Sequence, residues 1–320
     1  MPNAPAADAP QDRAQAGTPG PAAAGKRLRI GHSPDPDDAF MWWPLADFTS
    51  PDGTAHTPRI DTGGYRFEHV LEDIESLNVR AHAAELEITA VSIASMPALA
   101  KHYALTACGS SMGDGYGPMI VAKPGRFPSF ESLRGATLAI PGVGTTAWLS
   151  CRLALKEAGL TTDDVDWSVL PFDEVMEAVV GGRFDAGLII HEGQITYERD
   201  GLELVRDLGV WFQETRGLPL PLGGNAIRRD LVDAGEGSAI AAVLRRSIDF
   251  ALRNREEAVA FARQWGRGLS PELTDRFVGM YVNDWTLDYG ERGREAVRRL
   301  LGDAAEAQLV PACDLQFVEG

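Results

Sequence analysis

Residues 128–160, PSFESLRGATLAIPGVGTTAWLSCRLALKEAGL, constrain the fold more than any other stretch. They read as a short helix, a strand, a glycine turn and a long helix. In the long helix Trp148, Cys151, Leu155 and Ala158 share one apolar stripe, while Arg152, Lys156 and Glu157 face water and Gly159 stops it. A strand feeding a helix in this way buries both elements only in a layered α/β arrangement with a mostly parallel sheet.

The same pattern recurs on either side. RLRIGHS is an alternating strand, broken by SPDPDD before AFMWWPLADF resumes as a helix. GYRFEHVLEDIESLNVRAHAAE gives a strand and a helix with Leu77 and Ala81 inward, and LEITAVSIASMPAL a strand ending at Ser92 and Ser95. Further along come VDWSVLPF, DEVMEAVVGGRF and DAGLIIHE as strand, helix, strand. From about residue 238 the pattern is helical, and these helices are expected to pack on the first lobe. The expected organisation is a disordered Ala/Pro/Gly-rich tail over 1–25, a discontinuous first lobe of 26–120 and 229–320, and a second lobe of 121–228.

Charge and composition exclude whole classes of partner. The 320 residues hold 46 acidic against 30 basic side chains, a net charge of −16, which disfavours nucleic acid and anionic membrane surfaces. No apolar run of about 18 residues occurs, so no membrane insertion is expected. Cys108, Cys151 and Cys313 are far apart and odd in number, which suggests neither a disulfide framework nor a zinc site. The first residues lack the basic start and apolar centre of a secretory signal, so the expected location is the cytoplasm.

In open α/β sheets, ligands sit beyond the carboxyl ends of strands. Four loops qualify here, HSPDPDD, SIASMP, PGVGTTA and HEGQ, two from each lobe, and a cleft between the lobes would gather them. PGVGTTA places Thr145 and Thr146 at a helix start. This is either an anion site formed by free N–H groups and hydroxyls or a plain N-cap. It lacks the lysine of a phosphate-binding P-loop, so a carboxylate suits it better than a polyphosphate. HSPDPDD concentrates Asp35, Asp37 and Asp38 in a turn stiffened by Pro34 and Pro36. Asp37 or Asp38 is expected to cap the following helix, and the three carboxylates could also accept hydrogen bonds from a ligand; the spacing is not that of a calcium loop, and no metal is expected. Of six histidines, His32, His56, His69, His82 and His102 have surface or loop contexts, with His32 at the mouth of the first strand. His191 instead ends the most apolar strand, either as a satisfied core-edge imidazole or as a group tuned for proton transfer.

The segments SPDPDDAF, DIESLN, GDGYGPMIVA, IPGVGTTAWL, GLIIHEGQITY and DLGVWFQETRGLPLPLGGNAIRR together resemble the 1,4-dihydroxy-6-naphthoate synthases of the futalosine route to menaquinone, in order over roughly residues 27–305. The resemblance implies a type II periplasmic-binding-protein fold, with two α/β lobes joined by crossover strands. It implies conversion of cyclic dehypoxanthine futalosine, a small anionic substrate with aromatic and sugar-derived parts, by a lyase-type reaction without an organic cofactor. It also implies His191 as the base and a substrate carboxylate at the Thr145/Thr146 helix start. Ser33, Asp35, Asp37, Ser92, Gln194 and Asn225 are the remaining expected substrate contacts. The family's first loop usually reads Ser-Pro-Cys-Pro-Asn-Asp-Thr, whereas Asp35, Asp37 and Ala39 stand here in place of Cys, Asn and Thr. Two alternatives share the fold: a cytoplasmic ligand-binding protein without catalysis, and a chorismate dehydratase-like enzyme, whose first-loop signature is missing.

Overall fold

A computed structural model describes residues 25–45, 48–49, 52–266 and 269–320. The tail expected over 1–25 lies outside the described residues except for Gly25. The chain opens with β1 (Lys26–His32), the short ladder of β2 (Phe48–Thr49) and β3 (Ala55–His56), β4 (Tyr65–Leu71), β5 (Ile88–Ser92), β6 (Tyr103–Thr106) and β7 (Ser111–Gly113). It continues with β8 (Met119–Ala122), β9 (Thr137–Ile140), β10 (Asp166–Val169), β11 (Ala186–Ile189), β12 (Glu203–Asp207), β13 (Leu220–Arg228) and β14 (Phe317–Val318). The helices that bear on the site are α1 (Pro36–Trp42), α2 (Ile74–His82), α3 (Met96–Leu99), α4 (Thr146–Glu157), α5 (Phe172–Val180), α6 (Gly193–Thr196) and α7 (Leu208–Arg216).

Two sheets form the framework. The larger runs β14-β6-β13-β5-β1-β4, with β7 also paired to β13, and the smaller runs β10-β9-β11-β8-β12. β1 is parallel to β4 and β5, and β9 to β10 and β11. Two strands reverse the direction: β13 is antiparallel to β5, β6 and β7, and β8 to β11 and β12. The sheets are therefore mixed.

The strand pairing moves the expected lobe boundary. Residues 121–228 were assigned to the second lobe, yet all of β13 belongs to the larger sheet, while Met119 and Ile120 already pair within the smaller one. The sequence LPLPLGGN hides this strand because prolines and glycines read as turns. Pro221 is accommodated where the ladder with β7 shifts register, the kind of irregularity that tolerates a missing N–H.

Burial follows the apolar pattern. Leu28, Ile30 and Phe67 of the larger sheet share a core with Ile240, Val243, Leu244 and Ile248, so the helix over 237–253 does cover the first lobe. Each such side chain contributes roughly 1.5–3 kcal/mol. Leu77 and Ala81 are buried as expected. The buried side of α4 is wider than a single stripe, since Leu153 and Ala154 are buried as well. They join one core cluster with Trp211 and Phe212 of α7 and with Val297 and Leu300 of the helix over 290–306. A Cβ at Gly187 of β11 would meet Val175 Cγ1 at 2.7 Å, so glycine there lets α5 lie close under the strand that delivers His191.

Candidate active site

All four strand-end loops meet in one cavity of about 110 Å³. Ser33 and Asp38 enter from the β1–α1 loop, and Ala90, Val91 and Ser92 from β5. From the smaller sheet come Thr145, Thr146 and Ala147 at the start of α4, with Ile190, His191 and Gln194 after β11. Gly223, Gly224 and Asn225 of β13 form another wall, and Tyr281, from the helix over 271–281, is a lining residue that the sequence did not single out. Among the described lining residues there is one imidazole and no lysine or arginine.

β11 ends at Ile189, and the chain turns sharply so that His191 takes φ +54°, in the left-handed region that a side chain with a Cβ rarely enters. The His191 carbonyl accepts from Gln194 N at 3.1 Å as α6 begins. Its ring meets Phe172 of α5 edge-on, with centroids 4.9 Å apart. Its Nδ1 lies 3.5 Å from Asp35 Oδ2 across the cleft, and its side chain keeps 19% of its surface exposed.

The aspartate turn departs from expectation. Capping was assigned to Asp37 or Asp38, but the N-cap residue of α1 is Asp35, and its side chain makes no capping bond. Its carboxylate turns to His191 instead. Asp38 Oδ2 accepts from Ser33 N at 2.8 Å, closing the loop on itself. Asp37 is buried in the first turn, and burial beside Asp38 and Asp35 holds its carboxyl well above the usual carboxylate range. Asp35 and Asp37 were both expected to touch substrate; neither lines the cavity, whereas Asp38 does. His32, expected to have a surface or loop context, is buried behind this loop. Its Nδ1 lies 2.9 Å from Ser33 O and its Nε2 2.9 Å from His69 Nδ1, and burial pushes both imidazole pKa values down.

Both threonine hydroxyls at the start of α4 are engaged within the protein. Thr145 Oγ1 accepts from Trp148 N at 3.2 Å and donates to Gly142 O at 2.8 Å, a working N-cap. Thr146 Oγ1 accepts from Ala94 N at 3.1 Å and donates to Leu222 O at 2.5 Å, which ties α4 to the larger sheet. The donors left at the helix start are the N–H groups of Thr146 and Ala147, which have no acceptor within the helix. Ser92 is held by a residue the sequence reading passed over. Asn78 Nδ2 donates to Ser92 Oγ at 3.0 Å, and Asn78 Oδ1 accepts from Ser92 N at 2.9 Å. With its oxygen already accepting, the Ser92 hydroxyl has its proton to offer to the cavity.

A second overlooked residue bridges the lobes. Glu75 of α2 accepts from Gly144 N at 3.2 Å, and Ser95 Oγ donates to Gly144 O at 2.9 Å. A Cβ at Gly142 would lie 2.7 Å from Glu75 Cδ, so a larger residue there would displace this carboxylate. DIESLN was visible as a motif, but nothing in its spacing marked Glu75 or Asn78 individually. On β13, Asn225 Nδ2 donates to Gly109 O at 2.8 Å, where Gly109 holds φ +76°. Tyr281 is fully buried, its pKa raised well above normal by burial, Tyr116 and Asp37 and opposed by a hydrogen bond with Gln194.

Two α/β lobes meeting around one cavity have the fold of the periplasmic-binding proteins. The same fold appears in the alkanesulfonate-binding protein of Xanthomonas axonopodis pv. citri, 14% identical with a TM-score of 0.64, covering 91% of this chain and 96% of that one. A crystal structure of an Archaeoglobus fulgidus protein is 41% identical with a TM-score of 0.77, covering 89% of this chain and 98% of that one. A family model described as menaquinone biosynthesis matches residues 28–306. A 1,4-dihydroxy-6-naphthoate synthase from Thermus thermophilus is 38% identical over 87% of this chain and 93% of its own length. One from Streptomyces coelicolor is 35% identical over 89% and 95%. The chain belongs to this menaquinone-biosynthesis family and is an enzyme of the dihydroxynaphthoate synthase kind.

Proposed function

We propose that the cavity takes cyclic dehypoxanthine futalosine and that the enzyme cleaves it to 1,4-dihydroxy-6-naphthoate and a sugar-derived fragment, with His191 as general base. The observation that carries this reading is the convergence of loops from both sheets on one cavity whose described lining holds a single imidazole. Lobe closure around the ligand excludes water, and His191 then removes a proton from the sugar portion to start bond breaking. The substrate carboxylate rests on the free N–H groups of Thr146 and Ala147, with the Ser92 hydroxyl as a further donor. Gln194, Asn225 and Ser33 supply the remaining polar wall. Asp38 in the wall and Glu75 near the α4 start disfavour a polyanion, which suits a ligand carrying one carboxylate. Unpaired Cys108, Cys151 and Cys313 accord with a reducing compartment, the cytoplasm.

Incubation of the purified protein with cyclic dehypoxanthine futalosine, followed by mass spectrometry, should show dihydroxynaphthoate. Absence of product at every pH between about 6 and 9, the range in which an imidazole base works, refutes the assignment.

A further inference from the structure

Asp35 occupies the N-cap of α1, where an aspartate side chain ordinarily turns back onto the N–H groups of the first turn. Here it makes no such bond, is 2% exposed, and presents Oδ2 to His191 Nδ1 at 3.5 Å. Pro34 and Pro36 flank it and fix the backbone on both sides. On the other side, Phe172 meets the imidazole ring and φ +54° sets where the side chain starts. The ring is thus bounded at Nδ1 by a carboxylate and beside by a phenyl ring. Nε2 is the nitrogen left for the cavity that His191 lines.

We propose that Asp35 is a positioning residue for His191: its carboxylate receives the Nδ1–H and so selects the tautomer whose Nε2 lone pair faces the substrate. The proposal rests on His191 being the base. When Nε2 takes the substrate proton, the Asp35 carboxylate facing Nδ1 stabilises the imidazolium. The observed 3.5 Å is an ion-pair distance, longer than a formed N–H···O bond of about 2.7–3.2 Å. Ligand-driven closure by a few tenths of an ångström completes it, since such bonds are often long before substrate binds. Because β1–α1 supplies the carboxylate and β11–α6 the imidazole, the base is fully oriented only when the lobes are closed.

The test is D35N in the full chain, which keeps the shape but removes the charge and can turn an amide N–H donor toward Nδ1. Expected are a kcat lower by on the order of 10–100-fold and a KM within about twofold. In 15N spectra of ring-labelled histidine, His191 should populate the Nδ1–H tautomer in the wild type and lose that preference in D35N. D35E, which keeps the carboxylate on a longer arm, should retain the Nδ1–H tautomer even if its rate falls, and it serves if D35N does not fold. Wild-type kcat in D35N, or a lowered kcat with the tautomer unmoved, overturns the proposal. An inactive H191A beside a wild-type-like D35N removes only Asp35 from the mechanism, whereas a fully active H191A removes the base as well.

Discussion

Replacing Asn78 should separate its structural role from its role in binding. Asn78 is 2% exposed and holds Ser92 at both ends, accepting from its N–H at 2.9 Å and donating to its hydroxyl oxygen at 3.0 Å. Asn78→Ala strands a buried N–H, which costs about 1–3 kcal/mol, while the hydroxyl can turn to cavity water at smaller cost. A total loss of about 2–3 kcal/mol is expected by urea unfolding. Asn78→Asp keeps the acceptor for Ser92 N but removes the donor to Ser92 Oγ. The hydroxyl then donates back to Asp and no longer offers its proton to the ligand. KM should rise about tenfold, equivalent to roughly 1.4 kcal/mol, with kcat little changed. An Asn78→Asp enzyme with unaltered KM, or an Asn78→Ala protein destabilised by less than about 1 kcal/mol, would refute this account of how Ser92 is presented.

Two further perturbations test the surroundings of the site. Glu75→Gln keeps an oxygen acceptor for Gly144 N but removes a negative charge from beside the α4 start, so KM for the proposed substrate should fall severalfold; a rise would show that the charge itself is needed there. Burial lowers the pKa of both His32 and His69 from the usual 6.5 in the folded state, so the unfolded chain binds protons more readily. Their contribution to stability is therefore complete above about pH 6.5 and is lost as pH falls below it. Unfolding free energy should drop between about pH 7 and 5, and the drop should shrink in His69→Phe; an equal drop in both proteins would take the pair out of the pH response.

The alternation of strands and helices was legible because period-two and period-3.6 patterns are local. The same holds for the four strand-end loops and for the burial of the C-terminal helices. β13 was not legible, since Pro221 and the paired glycines mimic a turn and only the register shift opposite β7 accommodates them. The destination of Asp35 was hidden too. Local rules send an aspartate before a helix to cap it, and the imidazole that draws it away lies 156 positions further along, on the other sheet. Tyr281 reaches the cavity from a helix with no sequence signal for doing so, because its burial depends on how that helix packs. Local chemistry marked the loops; long-range packing decided which of their side chains face the cavity.

The central claim is that His191 performs the proton abstraction. Single-turnover conversion of cyclic dehypoxanthine futalosine by wild type and His191→Ala, followed by mass spectrometry of dihydroxynaphthoate, tests it most directly. The account predicts a rate at least about 100-fold lower in the variant, the usual contribution of a general base, with its fold intact. Equal rates in the two proteins would contradict it.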